Sequence, residues 1–226
     1  MKPSLVYCCP VEACGAEYAE LTQRFVSTFL EYPPGYGYEL VVVSNGGPPS
    51  SETQDLLAPL SARFIEHDNS GKDVGAFQFA SSQLTSELAV FFGVSTYFRG
   101  SGWLKRMVDS FQRHGDTLYG AMGNQGEAAH KVWPHIRTSG FWMSPRLMNH
   151  YPIKVTRDDQ RYEFEHGATG LTSWILNQGK RAWVVTFNDE CHVALCDLLH
   201  NGFHNRDQSD LLVGDRMSCP PYYKCL

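Results

Sequence analysis

Short apolar runs alternate with segments of helical periodicity through the first two-thirds of the chain. Continuous apolar runs predict buried strands, and apolar positions repeating every three or four residues predict amphipathic helices. The predicted strands cover residues 5–9, 40–43, 63–66 and 88–94, and the predicted helices cover residues 18–32, 51–60, 73–85 and 103–114. Fully buried strands separated by helices favour a parallel sheet covered by helices on both faces. We therefore predict an α/β, Rossmann-like fold with a mostly parallel central sheet.

The last third of the chain has a different pattern. Residues 117–122 and 136–143 are typical of strands, and no long helix separates them. A helix is predicted over residues 165–178, ended by Gly179 and followed by a strand at residues 181–187. Because no repeat or low-complexity linker divides the chain, we predict a single domain over all 226 residues.

Polar loops follow several of the predicted strands. Residues 44–47, 67–73 and 93–99 are rich in Gly, Asn, Asp and Ser. Ligands of α/β sheets bind beyond the carboxyl ends of the strands. These loops are therefore expected to line one ligand site.

Charge and composition argue against several classes of protein. The chain has 19 Lys and Arg, 24 Asp and Glu, a net charge of −5 and no basic block, which argues against nucleic-acid binding. No apolar run reaches the roughly 18 residues needed to span a bilayer, and the start MKPSLVYCCP lacks the features of a secretory signal. The odd count of seven cysteines favours reduced thiols. We expect a cytoplasmic protein without a transmembrane segment.

Several motifs, taken in order, resemble a known fold family. The stretches HIRTSGFWMSPRLM at 135–148 and FEHGATGLTSWILNQG at 164–179 follow the alternating first half. This order is similar to the GT-A fold of nucleotide-sugar-dependent glycosyltransferases. The stretches DNSGKDVGAF at 68–77, FFGVSTYFRG at 91–100 and NRDQSDLLVGDR at 205–216 more narrowly resemble rhamnan-synthesis-type, family 2-like glycosyltransferases.

The resemblance implies an activity and its substrates. About residues 1–115 would form a nucleotide-sugar-binding half, and about residues 116–226 an acceptor-binding and catalytic half. The donor would be a nucleoside-diphosphate sugar, for example of a deoxysugar such as rhamnose, and the acceptor a saccharide. Transfer would invert the anomeric centre, in polysaccharide biosynthesis and in association with other glycan-synthesis enzymes.

The sequence departs from the family at its metal motif. In most enzymes of this fold the strand at residues 88–94 would end in Asp-x-Asp, whose carboxylates bind a divalent ion, Mn²⁺ or Mg²⁺, at the donor diphosphate. Residues 93–96 are Gly-Val-Ser-Thr, and hydroxyls are poor sole ligands for such an ion. The metal requirement is therefore left open, with Ser95, His200 and His204 as weak candidate ligands.

Four side chains besides Ser95 are candidates for donor binding. Arg99 and Lys72 carry positive charge that can offset the diphosphate, although a surface ion pair and a solvated loop lysine are the simpler interpretations. Asp73 matches an aspartate that lies at the nucleotide in related sequences, and it is also suited to cap a helix. Asn45, beside two glycines, allows close approach of a ligand, but a plain turn accounts for it equally well.

An inverting transfer also needs a general base for the acceptor hydroxyl. The family has an acidic residue at the start of a late helix, which matches Glu165 or Glu163 in RYEFEHG. We favour Glu165, with Glu163 second; if residues 162–164 are extended, both carboxylates point to the same side. The alternative is that the pair only stabilises a helix dipole.

Aromatic and imidazole groups are candidates for the acceptor side. His135, Trp142 and Trp133 lie around the strand at residues 136–143. An exposed aromatic ring can stack on a sugar, although a tryptophan in a chain of this size is usually a core residue.

Two other functions compete with sugar transfer. A binding module of the same fold could hold a nucleotide or glycan without turnover, and the loss of Asp-x-Asp keeps this alternative open. A nucleotidyltransferase would need a basic, glycine-rich loop after the first strand, but CCPVEACG at residues 8–15 has no Lys or Arg.

Overall fold

The computed structural model describes residues 1–11, 16–127, 132–194, 201–204 and 207–218. A central sheet contains strands β1 Ser4–Pro10, β2 Glu39–Asn45, β3 Arg63–His67, β4 Ala89–Phe92, β6 Leu118–Gly120, β9 Gly140–Met143, β10 Ala182–Val185 and β11 Glu190–His192. Shorter strands form two pairs outside it: β5 Tyr97–Phe98 with β12 Val213–Gly214, and β7 Gly123–Asn124 with β8 His135–Ile136. The helices are α1 Ala16–Glu31, α2 Ser51–Leu57, α3 Lys72–Ser81, α4 Trp103–His114, α5 Pro145–Asn149, α6 Asp158–His166 and α7 Leu171–Asn177.

The strand order confirms the predicted α/β class. The sheet runs β11-β10-β6-β9-β4-β1-β2-β3. Strands β4, β1, β2 and β3 pair in parallel, as do β6 and β10. Strand β9 lies antiparallel between β4 and β6, and β11 is an antiparallel edge strand. The sheet is therefore mostly parallel, and β9 joins its two parallel parts.

Helices cover both faces of the sheet, as predicted. Phe25 of α1 and Trp103 of α4 are buried against one face. Phe77 of α3 and Phe164 of α6 are buried against the other, together with residues of α5 and α7. Strand β1 contributes apolar side chains to both cores, which explains why it has no polar alternation. No helix in the described ranges is long and apolar enough to cross a membrane.

The helix predicted over residues 165–178 is wrong in its bounds. It is two helices, α6 and α7, separated at residues 167–170. The Glu163 carboxylate accepts hydrogen bonds from the Thr169 amide and hydroxyl, which stabilises a turn there. Residues 162–164 are helical, not extended, so Glu163 and Glu165 project in different directions.

The strand predicted over residues 136–143 is also divided. It consists of β8 and β9, and residues 137–139 form the connection between them. The backbone amide of Arg137 donates to Met122, and Ser139 accepts from the loop after β4. The connection thereby brings Arg137, Thr138 and Ser139 to the end of β4.

Candidate active site

A largely buried carboxylate lies next to this connection. Glu165 is in the last turn of α6, with its side chain 12% exposed. Its Oε2 accepts hydrogen bonds from the Thr138 amide, at 3.3 Å, and from the Thr138 hydroxyl. Burial raises the pKa of Glu165, but Arg137, Thr138 and the neighbouring histidines outweigh it and hold the pKa below its usual value. The carboxylate is therefore ionised at neutral pH and fixed in orientation.

The carboxyl end of β4 is in direct contact with the same connection. The Gly93 amide and the Thr96 hydroxyl both donate to the carbonyl oxygen of Ser139. Ser139 follows Thr138, which holds Glu165. The loop at residues 93–99, which is predicted to bind the donor, therefore contacts Ser139, the residue next to Thr138, and Thr138 in turn holds Glu165, the predicted base.

Asp73 belongs to the same group of side chains. It lies in the first turn of α3, where Oδ1 accepts from the Val74 amide. Arg161 Nη1 is 3.9 Å from Asp73 Oδ1. Burial raises the pKa of Asp73, the Arg161 charge lowers it, and the charge of Glu165 raises it, with a net increase. The two predicted halves of the chain therefore meet at Asp73, Arg161 and Glu165.

The C-terminal segment, residues 207–218, lies on one side of the site. Arg137 Nη2 is 3.4 Å from Asp215 Oδ2, and both side chains are largely buried. Asp215 also accepts from the Met217 amide and the Ser218 hydroxyl. These bonds hold Asp215 against Arg137, whose charge lowers the pKa of Glu165.

The candidate metal ligands at the end of β4 do not fit a divalent ion. Residues 93–96 supply no carboxylate, and the Thr96 hydroxyl is already bonded to Ser139. Ser95 offers a single hydroxyl, which is too little for an ion that prefers several oxygen ligands.

The two late histidines predicted as weak ligands have different outcomes. His200 lies outside the described residues. His204 Nδ1 is buried and makes no hydrogen bond within the described part of the chain. Burial lowers the pKa of His204, as does Arg137, while Asp215 and Glu165 raise it. His204 is therefore close to the Glu165 site.

Asn45 and Lys72 lie on the neighbouring rim. Asn45 is 2% exposed, and its amide nitrogen donates to Asn69 Oδ1 at 2.9 Å and to the Lys72 carbonyl at 3.1 Å. Its Oδ1 accepts from His67 Nδ1 at 2.7 Å. These bonds hold the loop between β3 and α3 in position. The Lys72 side chain is exposed and forms no ion pair with another described residue.

Three other predicted site residues make contacts of their own. Arg99 donates to the Gln208 carbonyl at 3.1 Å, so it fastens the C-terminal segment. Trp142 is 0% exposed and stacks on Tyr119 in the core of the α1 and α4 face. The structure does not bring it to the site, because its position in central strand β9 turns the ring inward. Glu163 supports the turn after α6.

The acceptor-side predictions divide in the same way. His135 is 1% exposed; its Nδ1 bonds to the Trp133 carbonyl, and its Nε2 is 3.8 Å from Glu165 Oε1. Trp133 is 52% exposed, and its amide donates to His166. Tyr162, also exposed, stacks on His166 with ring centroids 4.4 Å apart. Two exposed aromatic rings therefore flank the Glu165 site.

Sequence reasoning missed Arg161, His166 and Asp215. A signal existed for Arg161, because two acidic residues at 158 and 159 suit the first turn of a helix, and a helix from there puts Arg161 four residues before Glu165. No local pattern links Asp215 to Arg137, which lies 78 residues earlier.

No protein-family model matches this sequence, and no curated protein is similar to it. Solved structures do match. One is the mannosyltransferase PcManGT from Pyrobaculum calidifontis in complex with GDP-Man and Mn²⁺, with a TM-score of 0.57 and 14% identity over 80% of this chain and 53% of that chain. Another is TarS from S. aureus, with a TM-score of 0.51 and 12% identity over 78% of this chain and 34% of that chain.

These similarities establish the fold. A second structure of TarS, residues 1–349, matches with a TM-score of 0.51 and 11% identity over 76% of this chain and 56% of that chain. The chain spans about half the length of the mannosyltransferase and about a third of the longer TarS structure. The predicted GT-A fold is confirmed, and the rhamnan-type resemblance stays a prediction.

Proposed function

We propose that this protein is a glycosyltransferase of the hexosyltransferase type, which moves a sugar from a nucleoside-diphosphate donor to a saccharide acceptor with inversion. One observation carries this proposal. A largely buried, ionised carboxylate, Glu165, is held by Thr138 beside the carboxyl end of β4 in a GT-A fold. In α/β sheets this edge is where ligands bind.

Glu165 is the proposed general base. As the acceptor hydroxyl attacks the anomeric carbon, its proton passes to Glu165, a new C–O bond forms, and the bond from the anomeric carbon to the diphosphate oxygen breaks. A single displacement on the face opposite the leaving group inverts the anomeric centre. Thr138 orients the base, while Glu163, bonded to Thr169, has no part in this step.

Donor binding is proposed at the rim formed by the loops after β2, β3 and β4. Lys72, whose ammonium group is exposed, would offset the diphosphate charge, with Arg99 contributing from the C-terminal side. Asp73 would accept from the nucleoside, Ser95 would donate to a phosphate oxygen, and Asn45 would support the loop that presents Lys72. The family resemblance alone suggests a deoxysugar such as rhamnose.

Acceptor binding is proposed on the exposed rings beside Glu165. Trp133 and Tyr162 present flat apolar faces on which a sugar ring can stack. His135 lines the buried end of the same side. The Trp142 ring lies in the core, so it does not contact the acceptor in this proposal.

The cell context is also proposed. Cys8 and Cys9 are free thiols, which fits the reducing cytoplasm. Association with other glycan-synthesis enzymes in polysaccharide biosynthesis is inferred from the resemblance. We also propose a single domain, in which residues 1–115 bind the donor and residues 116–226 bind the acceptor.

A binding module is the second candidate function. The absence of a carboxylate at residues 93–96 favours it, because the family's usual metal site is missing there. Such a module would bind a nucleotide without releasing a sugar from it.

Calorimetric titration with a panel of nucleoside diphosphates, each in Mn²⁺ and in chelator, tests the donor site. We expect one nucleotide to bind in chelator. The Lys72→Gln substitution should lower the affinity for that nucleotide about tenfold. Lys2→Gln is the matched control, because Lys2 is exposed near the opposite end of β1. Binding only with Mn²⁺ would exclude Lys72 as the charge partner, and binding of no nucleotide would refute the proposed function.

A further inference from the structure

Three potential metal ligands face one another at Glu165. His135 Nε2 is 3.8 Å from Glu165 Oε1, and His166 Nε2 is 3.4 Å from the same oxygen. All three atoms lie within 4.8 Å of one another. The two imidazole rings meet edge to face, with centroids 4.6 Å apart.

Backbone carbonyls fix the tautomers of both histidines. His135 Nδ1 is 2.6 Å from the Trp133 carbonyl oxygen, and His166 Nδ1 is 3.2 Å from that of Tyr162. Because a carbonyl oxygen only accepts, Nδ1 carries the hydrogen in each ring. In the neutral form of each ring the lone pair is therefore on Nε2, the atom that faces Glu165. Metal-ligating histidines are oriented by the same type of bond.

This arrangement lacks a positive group at its centre. His135 Nε2 is buried and has no hydrogen-bond partner within the described residues. Two imidazole lone pairs and a carboxylate oxygen repel one another unless a cation lies between them. Glu165 Oε2 is already satisfied by Thr138, so Oε1 is the oxygen left to bind a cation.

The separations suit a small transition ion. Tetrahedral zinc with bonds of about 2.0–2.1 Å has ligand atoms about 3.3 Å apart. The two separations from Glu165 Oε1, 3.4 and 3.8 Å, would shorten by about 0.1 and 0.5 Å to reach this value, and the two Nε2 atoms lie within 4.8 Å of each other. Nitrogen donors disfavour Mg²⁺ and Ca²⁺, which prefer oxygen.

We propose that His135, His166 and Glu165 bind a first-row divalent transition ion of the Zn²⁺ class, with one coordination position open. This site is separate from residues 93–96 and does not depend on the proposed sugar transfer. Within that function, a hydroxyl at the open position would lose its proton to water more easily, because a bound ion lowers its pKa. Without the ion, Glu165 remains free to act as the base.

Titration of the tag-free, chelator-treated chain with Co²⁺, followed by visible absorption and by competition with Zn²⁺, tests the site. We expect one equivalent of Co²⁺ to give the bands of a low-coordinate ion and Zn²⁺ to displace it. His166→Ala should weaken binding by more than about 100-fold, since even the loss of a supporting residue outside the coordination shell costs 10 to about 100-fold.

His150→Ala is the matched control. His150 is exposed, and its Nδ1 bonds to the Arg146 carbonyl in the same way, but it has no carboxylate partner within the described ranges. It should leave Co²⁺ binding unchanged. His135→Gln and Glu165→Gln each remove one of the other two proposed ligands and should also weaken Co²⁺ binding. Circular dichroism shows whether the variant at the buried His135 folds.

Two results would overturn the metal site: no stoichiometric Co²⁺ or Zn²⁺ binding by the wild-type chain, or equal binding by His166→Ala. Neither result affects donor binding, which is measured in chelator. Failure of the metal site is therefore distinguishable from failure of the proposed function.

Discussion

At the scale of single residues, Thr138 determines how Glu165 is presented. Two donors of one residue hold the same carboxylate oxygen. Thr138→Val keeps the shape but removes the hydroxyl, so we expect turnover to fall about tenfold with donor affinity unchanged. Thr138→Ser is the control that retains the donor and should stay near wild type. Steady-state assays of nucleotide release measure the turnover of both variants. Equal rates for Thr138→Val and Thr138→Ser would exclude this positioning role of the hydroxyl.

The sequence could predict Glu165 but not its surroundings. The stretch RYEFEHG contains the acidic residues that a general base requires, and DNSGKD contains the polar residues typical of a donor-binding loop. In the structure Glu165 is close to both Asp73 and His135. Trp142 has the same type as Trp133, yet one is buried and the other exposed. That difference depends on strand order, which no local pattern encodes.

At the scale of elements, the turn that begins α3 requires glycine. Gly71 has φ +70°, and a Cβ there would lie 2.2 Å from the Val155 carbonyl oxygen. Gly179 has nearly the same φ, +71°, with open space around it. We expect Gly179→Ala to cost about 1 kcal/mol of unfolding free energy and Gly71→Ala about 3 kcal/mol or more. Urea denaturation measures the difference, and equal costs would contradict the close contact.

The β10–β11 hairpin is held to α4 by Glu190. Its carboxylate accepts from His114 at 2.8 Å and from Arg106 at 3.2 Å. Burial raises the pKa of Glu190, but the hydrogen bonds of His114 and Arg113 and the charges of both arginines outweigh it, so the pKa is lowered. This stabilisation is present above the unfolded pKa of about 4.3 and is lost as pH falls through the folded pKa.

Glu190→Gln should therefore reduce the unfolding free energy by about 1 kcal/mol at pH 7, with allowance for solvent screening. The difference from wild type should shrink as pH falls below about 4.3. Thermal melts from pH 7 to pH 3 measure it, with the exposed Glu52→Gln as control. A difference independent of pH would show that the ion pairs do not cause it.

Element types were easier to predict than element bounds. The first four strands and helices follow apolar periodicity closely, because burial on both faces leaves a strong pattern. The break between α6 and α7 was missed, since it depends on the Glu163 carboxylate accepting a hydrogen bond from the Thr169 amide six residues later. The antiparallel direction of β9 was not predictable either, because strand direction follows from the connection and not from the strand's own residues.

At the scale of the whole molecule, β9 joins the two proposed halves in one sheet. It pairs with β4 on one side and β6 on the other, and its Phe141 packs on Phe91 with ring centroids 4.8 Å apart. We therefore expect a single cooperative unfolding transition in urea, the same by fluorescence and by circular dichroism. Two separate transitions would contradict a single domain.

The most direct test of the proposed transfer compares the two glutamates of RYEFEHG. Sugar transfer is measured with nucleotide sugars of the nucleotide that binds in calorimetry, as donors, and a panel of saccharides, as acceptors. The assay contains chelator, so that Glu165 acts without a metal ion. Glu165→Gln should lose about 10² to 10⁴-fold in turnover with donor affinity unchanged. Glu163→Gln should melt earlier but turn over like wild type, because Glu163 only supports a turn. Equal activity of Glu165→Gln and wild type would contradict the account.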